Sequence, residues 1–374
     1  MILVLRDIVV PTDGGSQLIT GLVSLSTVPR TEVVIYGENW GFATNLVVRM
    51  CYSRLVRRLR RYPPFSWLFI VMFYGVLRRT LERRLLRRFG ERAITGVWCA
   101  ANDILPLVGA VVAQGLGCPL HVSVTDLPET YGLHGSERRL LRDRRPVWLH
   151  RARSCDLASE GMRLHLAREE GRVPRSLVIW SSAGVARQVP GFSARRELSV
   201  IAFSGSMRFR DELWALLRGL EAFADRQGRR VLLRLFVKHR VHSPFVDWRG
   251  YLHDHARLAA ALVECDLGYS PMTFAESEQI LVATSFPGKI AAYLGARLPI
   301  IAHGPQYATN VRFVESLNVG IGLKTLEPEG IAEALEQYER QVELRVLHSA
   351  NTEAAVTTHF ASAARSRFLA EVLT

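Results

Sequence analysis

Several absences narrow the possibilities before any motif is considered. The five cysteines, Cys51, Cys99, Cys118, Cys155 and Cys265, are scattered with no close pair. That excludes a zinc-knuckle spacing and points to reduced thiols in a cytosolic protein. No secretory signal opens the chain, and Met1-Ile2-Leu3-Val4-Leu5 reads as a first strand. The apolar run Phe65 to Leu77, FSWLFIVMFYGVL, has thirteen residues, against the roughly 20 that a membrane span needs. No GxGxxG fingerprint follows the first strand, and there is no repeat or low-complexity tract. Acidic residues are scarce in one place above all: between Arg49 and Arg92, thirteen arginines face two acids, Glu82 and Glu91. The whole chain carries +13, so the remainder is nearly neutral.

What is present fits a two-domain α/β protein. The 374 residues are 48% hydrophobic and 22% charged, enough for two substantial cores. Strands are expected at 2–10, 31–36, 94–98, 120–124, 155–159 and 177–180, with helices through Leu18, Leu22 and Leu25, at 51–61 (broken by Pro63-Pro64), 105–114, 147–152 and 160–168, the last capped from Ser159. Residues 181–197 hold small polar residues without a long apolar period and read as a linker. A second series follows, with strands at 198–203, 231–237, 265–270 and 298–302, a tight turn at 204–206, an extended piece at 245–251, a loop at 271–283, and helices at 211–225, 253–263, 328–346 and 352–372.

Four stretches carry candidate chemistry. Thr284 to Gly304 reads as a helix N-terminus followed by a buried strand, with Thr284 and Ser285 as N-cap residues and Pro287 in the first turn. Lys289 opposes the helix dipole there, which is unfavourable unless an anion binds, and Gly288 leaves the backbone accessible to it; a solvated surface lysine is the alternative. Gly14 and Gly15 could admit a ligand to the backbone or could simply form a turn. Asp126, at the carboxyl end of a buried strand, could orient a hydroxyl, act as a base or cap a turn. The run Phe65–Leu77, with Trp67, Phe69, Phe73 and Tyr74 and flanking arginines, suits a membrane interface better than nucleic acid, for which no motif accompanies it; a core helix with a solvated arginine continuation is the competing reading. His253-Asp254-His255 fits a cap better than a metal site, because consecutive helical residues point apart.

The succession of pieces resembles the GT-B glycosyltransferases, in particular the retaining, nucleotide-sugar-dependent branch of bacterial polysaccharide and glycolipid biosynthesis. The residues carrying the likeness are Gly14-Gly15, Asp126-Leu127-Pro128-Glu129, Cys155 to Met162, Phe203-Ser204-Gly205-Ser206, Trp248 to Leu252, Glu264 to Pro271, Phe286-Pro287-Gly288-Lys289, Ala292-Tyr293-Leu294 and Leu298 to Ile301. The resemblance implies two Rossmann-like domains facing a cleft. The first, 1–180 with an insert at 49–92, would take the acceptor; the second, 198–350, would take the nucleotide sugar; a helix over 351–374 would pack back on the first. It also implies donor contacts from Gly205, Ser206, Arg208, Arg210, Arg249, Tyr251, Ser285, Phe286, Pro287, Gly288 and Lys289, an acceptor side of Gly14, Gly15 and Glu129, and Asp126 as the catalytic group. Neither metal nor cofactor is expected, because cations and backbone N–H groups can stabilise a leaving diphosphate.

The expected activity is transfer of a sugar from a nucleotide diphosphate sugar to a membrane-associated acceptor, either a saccharide or a lipid-linked one. It would take place at the inner face of a bacterial membrane, with 49–92 docked on anionic lipid and no nucleic acid partner. Thr284 and Ala292 stand where the family commonly carries glutamates, and Thr125 where it carries histidine. These departures motivate an alternative, a catalytically silent GT-B-like subunit of an assembly system that binds a partner through 49–92. A sugar-nucleotide epimerase is a third reading, in which the insert would have no purpose.

Overall fold

Two six-stranded sheets, every described pairing parallel, carry the molecule. The computed structural model describes residues 1–6, 30–34, 58–59, 62–101, 104–127, 130, 135–178, 197–359, 368 and 370–371. The chain divides into two units, Met1–Ile179 with Ser362–Thr374, and Trp180–Ala361.

The first unit contains β1 (Ile2–Arg6), β2 (Arg30–Val34), β3 (Gly96–Ala100), β4 (Leu120–Val124), β5 (Ala152–Leu157) and β6 (Arg175–Val178), in the order β2-β1-β3-β4-β5-β6. β3 and β4 are buried along their whole length, as expected of a parallel sheet covered on both faces. Polar side chains inside this sheet satisfy one another. Ser123 Oγ donates to Asp156 Oδ1 at 2.6 Å and accepts from Trp98 Nε1 at 2.8 Å, while His121 Nε2 lies 2.6 Å from the same carboxylate. From the C-terminal segment, Phe368 is buried edge-on to His121, and Glu371 pairs with Arg175.

Residues 63–89 of the basic segment form one continuous helical rod: α1 (Pro63–Phe69), a π-helical stretch Ile70–Leu77, and α2 (Arg78–Phe89). Most of the helix expected over 51–61 lies outside the described residues. Tyr62, with ψ of 135°, is extended, and Pro63-Pro64 take the first positions of α1, where a missing N–H costs nothing. Phe69, Phe73, Leu77, Leu81, Leu85 and Phe89 are all buried and recur every fourth residue. In an α-helix of 3.6 residues per turn, such a repeat drifts about 40° per step. The wider i→i+5 turns of the π stretch take up more residues per turn and oppose that drift, keeping the stripe on the core. Neither competing sequence reading holds for the whole apolar run. One side packs into the core, and the other leaves Phe65, Trp67, Leu68, Val71, Met72 and Val76 exposed, Trp67 at 66%.

Two further elements of this unit are α3 (Leu105–Gly115) and α4 (Gly135–Leu149). The latter ends where the sequence suggested a helix at 147–152, and Ala152 already opens β5. α5 (Glu160–Glu170) starts at Ser159, whose Oγ accepts from the Met162 N–H at 3.0 Å, the cap read from sequence.

The second unit contains β7 (Val200–Ser204), β8 (Leu232–Phe236), β9 (Val246–Trp248), β10 (Leu267–Pro271), β11 (Ile300–His303) and β12 (Gly320–Leu323), in the order β12-β11-β10-β7-β8-β9. Successive strand residues feed opposite core layers. Ile201, Phe203, Leu233 and Leu235 pack on one side, while Val200, Ala202, Phe236 and Ile300 pack on the other. The helices are α6 (Arg210–Gln227), α7 (His255–Leu262), α8 (Gln279–Thr284), α9 (Lys289–Gly295), α10 (Thr309–Ser316), α11 (Pro328–Arg340) and α12 (Val342–His359). Asp254 caps α7, accepting from Ala256 and Arg257 N–H groups at 2.7 and 3.3 Å. The single helix expected over 328–346 is broken at Gln341, whose ψ of 64° leaves the helical region. α8 falls in a stretch read from sequence as loop, and α10 and β12 were not foreseen; each spans eight residues or fewer, too short for a clear period.

Candidate functional site

The strand order of the second unit locates a crevice. From β7 the chain moves outward through β8 and β9, then returns to β10 on the other side of β7 and continues to β12. In open parallel sheets, ligands bind past the carboxyl ends of the strands at such a reversal. Here that point is the end of β7 beside β10.

Three features meet there. Gly205, directly after β7, has φ +99°, a conformation that costs a residue with a Cβ about 1–3 kcal/mol. Its N–H bonds the Phe236 carbonyl at 3.3 Å, turning the loop across the end of β8. Tyr293 of α9 ties the neighbouring strands together, its hydroxyl accepting from the Ser204 N–H at 3.0 Å and donating to the Tyr269 carbonyl at 3.0 Å. Gly268 makes room for that ring, since a Cβ at 268 would fall 2.5 Å from Tyr293 Cγ. Lys289, one turn before Tyr293 on the same helix face, reaches over this floor. Its Nζ lies 4.8 Å from the centre of the Phe203 ring, and its Cε would be 3.8 Å from a Cβ on Gly205.

The electrostatics are unusual for a lysine. Lys289 is half-buried and has no carboxylate partner among the described residues. Burial alone pushes its ammonium down to about 8 from the usual lysine range. At neutral pH the group is therefore charged, poorly hydrated and without a counter-ion. The chain has three lysines among 48 basic residues, and a compact ammonium is the cation whose pKa responds most to such burial.

Local details correct the sequence reading of this stretch. Thr284 ends α8 rather than capping α9, because its Oγ1 donates back to the Ile280 carbonyl at 2.6 Å. Ser285 is extended, and its carbonyl accepts from Thr309 Oγ1. Pro287 precedes the helix, Gly288 stands at the cap position, and Lys289 is the first helical residue. The N–H groups of Ile290 and Ala291 are already bonded to the Pro287 and Gly288 carbonyls. The cation and the glycine turn, rather than an array of open N–H groups, characterise the site. Phe286 packs edge-on to Phe313 and anchors the loop.

The remaining donor-side candidates lie on the same end of the sheet, with different degrees of engagement. Ser206 and Arg210 are exposed in the loop after β7 and at the start of α6. Arg208 is paired with Glu278 at 2.7 Å. Arg249 follows β9 and pairs with Asp247 at 2.8 Å, and Tyr251 stacks edge-on with His253. Ala292 is half-buried against the core layer, where a methyl group has no hydrogen bond to offer a sugar. In the first unit, Asp126 is half-buried just beyond β4; Gly14, Gly15 and Glu129 lie outside the described residues.

Sequence reasoning missed the support beneath this end of the sheet. His303 Nε2 donates to the Thr325 carbonyl at 2.7 Å, which leaves Nδ1 of the neutral ring to accept from the Tyr269 hydroxyl at 2.7 Å; that hydroxyl also lies 2.9 Å from the Glu212 carbonyl. Burial pushes His303 down to about 4, so it stays neutral at physiological pH. Glu212 Oε1 accepts the Phe274 N–H at 3.0 Å, and Asn310 Nδ2 donates to the Ser270 carbonyl at 2.6 Å. These bonds link residues up to 62 apart in sequence, so no local spacing announces them.

No protein-family model and no curated protein matches the chain. Solved structures do. HepE of Anabaena, determined with UDP-glucose, superposes with a TM-score of 0.64 at 13% identity, covering 100% of this chain and 98% of that one. The UDP-forming α,α-trehalose-phosphate synthase of Burkholderia vietnamiensis gives 0.65 at 11% identity, covering 99% of each. The E. coli trehalose-6-phosphate protein bound with UDP-2-fluoro glucose gives 0.61 at 11% identity, covering 100% and 99%. With two parallel α/β units and neighbours matched end to end, the chain has the GT-B fold.

Proposed function

We propose that this protein is a glycosyltransferase that moves a sugar from a nucleotide diphosphate sugar to a membrane-associated acceptor. The observation that carries the reading is Lys289, a half-buried ammonium with no carboxylate partner among the described residues, beside the Gly205 turn at the switch point of the second sheet. A diphosphate would supply the missing anion, and Gly205 would let it approach the backbone. During transfer the bond from the sugar anomeric carbon to the diphosphate oxygen breaks, its electrons leaving on that oxygen, where Lys289 would stabilise the developing charge without a metal. The new bond forms from an acceptor hydroxyl, whose proton Asp126 would orient or receive, with retention at the anomeric carbon if the sequence resemblance to the retaining branch extends to mechanism. Ser206, Arg208 and Arg210 would flank the diphosphate, Arg249 and Tyr251 the base, and Gly14, Gly15 and Glu129 the acceptor. The UDP and UDP-sugars seen in the structural neighbours support a uridine nucleotide as the first ligand to test.

The acceptor half of the reading rests on the rod 63–89. No helix among the described residues is long and apolar enough to cross a membrane. Exposed Trp67, Leu68, Val71 and Met72 beside exposed Arg79, Arg83, Arg87 and Arg88 make a surface suited to lying in an anionic bilayer interface. Ala292 favours a second reading, the catalytically silent GT-B-like subunit, because the ribose contact of the family is missing there. Calorimetric titration of UDP into the pure protein, followed by a UDP-glucose hydrolysis assay, tests both. Binding with slow hydrolysis is expected of the transferase. Binding without any turnover of a panel of sugar nucleotides would favour the silent subunit, and no binding at all would overturn both.

A further inference from the structure

A groove of about 600 Å³ opens beside the rod of the first unit, within the size range of a site for one small molecule. Its walls are apolar: Ile70, Val71, Tyr74 and Val76 from the π-helical stretch, Leu107 from α3 and Val147 from α4. Val71 and Val76 also belong to the exposed apolar strip with Trp67 and Met72, so groove and strip are continuous. The rim is basic. Arg78 is engaged, with Nη1 2.5 Å from Glu82 and Nε donating to the Tyr74 carbonyl. Arg79, Arg83 and Arg144 are exposed; Arg79 lies within electrostatic reach of Glu82, and Arg83 and Arg144 have no carboxylate partner among the described residues. A Cβ on Gly75, in the groove wall, would meet nothing within 4 Å. The π turn that holds the buried stripe on the core thus also sets a residue without a side chain at the groove.

We propose that this groove takes one hydrocarbon chain of a membrane lipid phosphate, with the phosphate held by Arg79, Arg83 and Arg144. The inference rests on the reading that this surface meets a membrane, and it names the class of molecule received there. Charge and polarity select the occupant. Inorganic phosphate would leave the apolar walls wet, and an uncharged chain would leave the Arg83 and Arg144 guanidinium groups without an anion. A nucleic acid has no apolar segment to lay along Ile70 and Val147. A lipid phosphate satisfies walls and rim together, and the continuous exposed strip gives it a route from the bilayer.

The test is calorimetry on the full-length protein with farnesyl phosphate below its aggregation concentration, and with farnesol, inorganic phosphate and UDP as separate titrants. Saturable binding of farnesyl phosphate is expected, with farnesol at least tenfold weaker and inorganic phosphate not measurable. Gly75→Trp, which fills the groove, should weaken farnesyl phosphate at least tenfold. Arg83→Glu should weaken farnesyl phosphate and leave farnesol unchanged. Should Gly75→Trp not fold, Arg83→Glu decides alone. Wild-type affinity in both variants, equal binding of farnesol and farnesyl phosphate, saturation by inorganic phosphate, or closure of the groove by dimerisation would each overturn the proposal. UDP separates this from the transferase reading. Farnesyl phosphate binding without UDP binding would leave the groove standing and the transferase refuted; UDP binding with no lipid phosphate binding would do the reverse.

Discussion

The two units hold positive charge in opposite ways. Along 78–92 of the first unit, Arg79, Arg83, Arg87 and Arg88 of α2 and Arg92 just beyond it stand exposed. In the second unit a single ammonium, Lys289, is drawn into a wall of aromatic and backbone atoms and loses hydration for it. The first arrangement costs the fold little and yields a diffuse, salt-sensitive attraction. The second destabilises the empty protein and, on the proposed reading, would give a localised preference for one anion. Many guanidinium groups suit a surface, whereas one dehydrated ammonium suits a site.

The largest expected effect breaks that contrast at its sharper end. Lys289→Met should abolish calorimetrically detectable UDP binding and at the same time raise the thermal midpoint at pH 7. The sign follows from linkage: folding lowers this pKa, so the penalty is fully present below about 8 and fades as pH rises through the ordinary lysine range. The stability gain of Lys289→Met should therefore shrink at alkaline pH, as thermal melts across pH would record.

Next in size is the surface end. Met72→Glu together with Trp67→Glu should abolish flotation with anionic liposomes at low salt, while UDP affinity and the thermal midpoint stay unchanged, since both side chains are exposed. Wild-type flotation should fall as salt rises. Tyr293→Phe comes third. It leaves the Ser204 N–H without its partner and should cost about 1–3 kcal/mol in denaturant melts, with weakened UDP binding as Lys289 loses its fixed floor. The smallest effect belongs to Glu278→Gln. The Arg208–Glu278 pair is half-exposed and worth about 0–1 kcal/mol, so stability should hardly move. UDP affinity should rise a few-fold as Arg208 is released.

The same contrast explains what the sequence made legible. The arginine cluster is a compositional signal and is visible at once. Which side of Phe65–Leu77 faces the core was not, because a four-residue repeat fits an α-helix poorly and the π stretch that accommodates it has no signature of its own. The alternating α/β elements, the Ser159 and Asp254 caps and the turn after β7 follow from local chemistry and were readable. Lys289 was singled out from its position at a helix start, but for a partly different reason than the structure provides. The expected N-cap at Thr284 gives way to a preceding helix, and the dehydration that makes Lys289 distinctive comes from Phe203 and the Tyr293–Ser204 bridge across the fold. Glu278, which sits on Arg208, and the buried network around His303 depend on long-range pairing that no spacing encodes.

The central claim, that Lys289 meets the diphosphate, is tested most directly by proton uptake at pH 8.5. There UDP is fully ionised, since a phosphate's second ionisation lies near pH 6, and free Lys289 is mostly neutral with its pKa near 8. Binding heats measured in two buffers of different ionisation enthalpy should report uptake of most of one proton by the wild type. Any residual binding by Lys289→Gln should show none. UDP binding by the wild type without proton uptake, or equal uptake in the variant, would contradict the account.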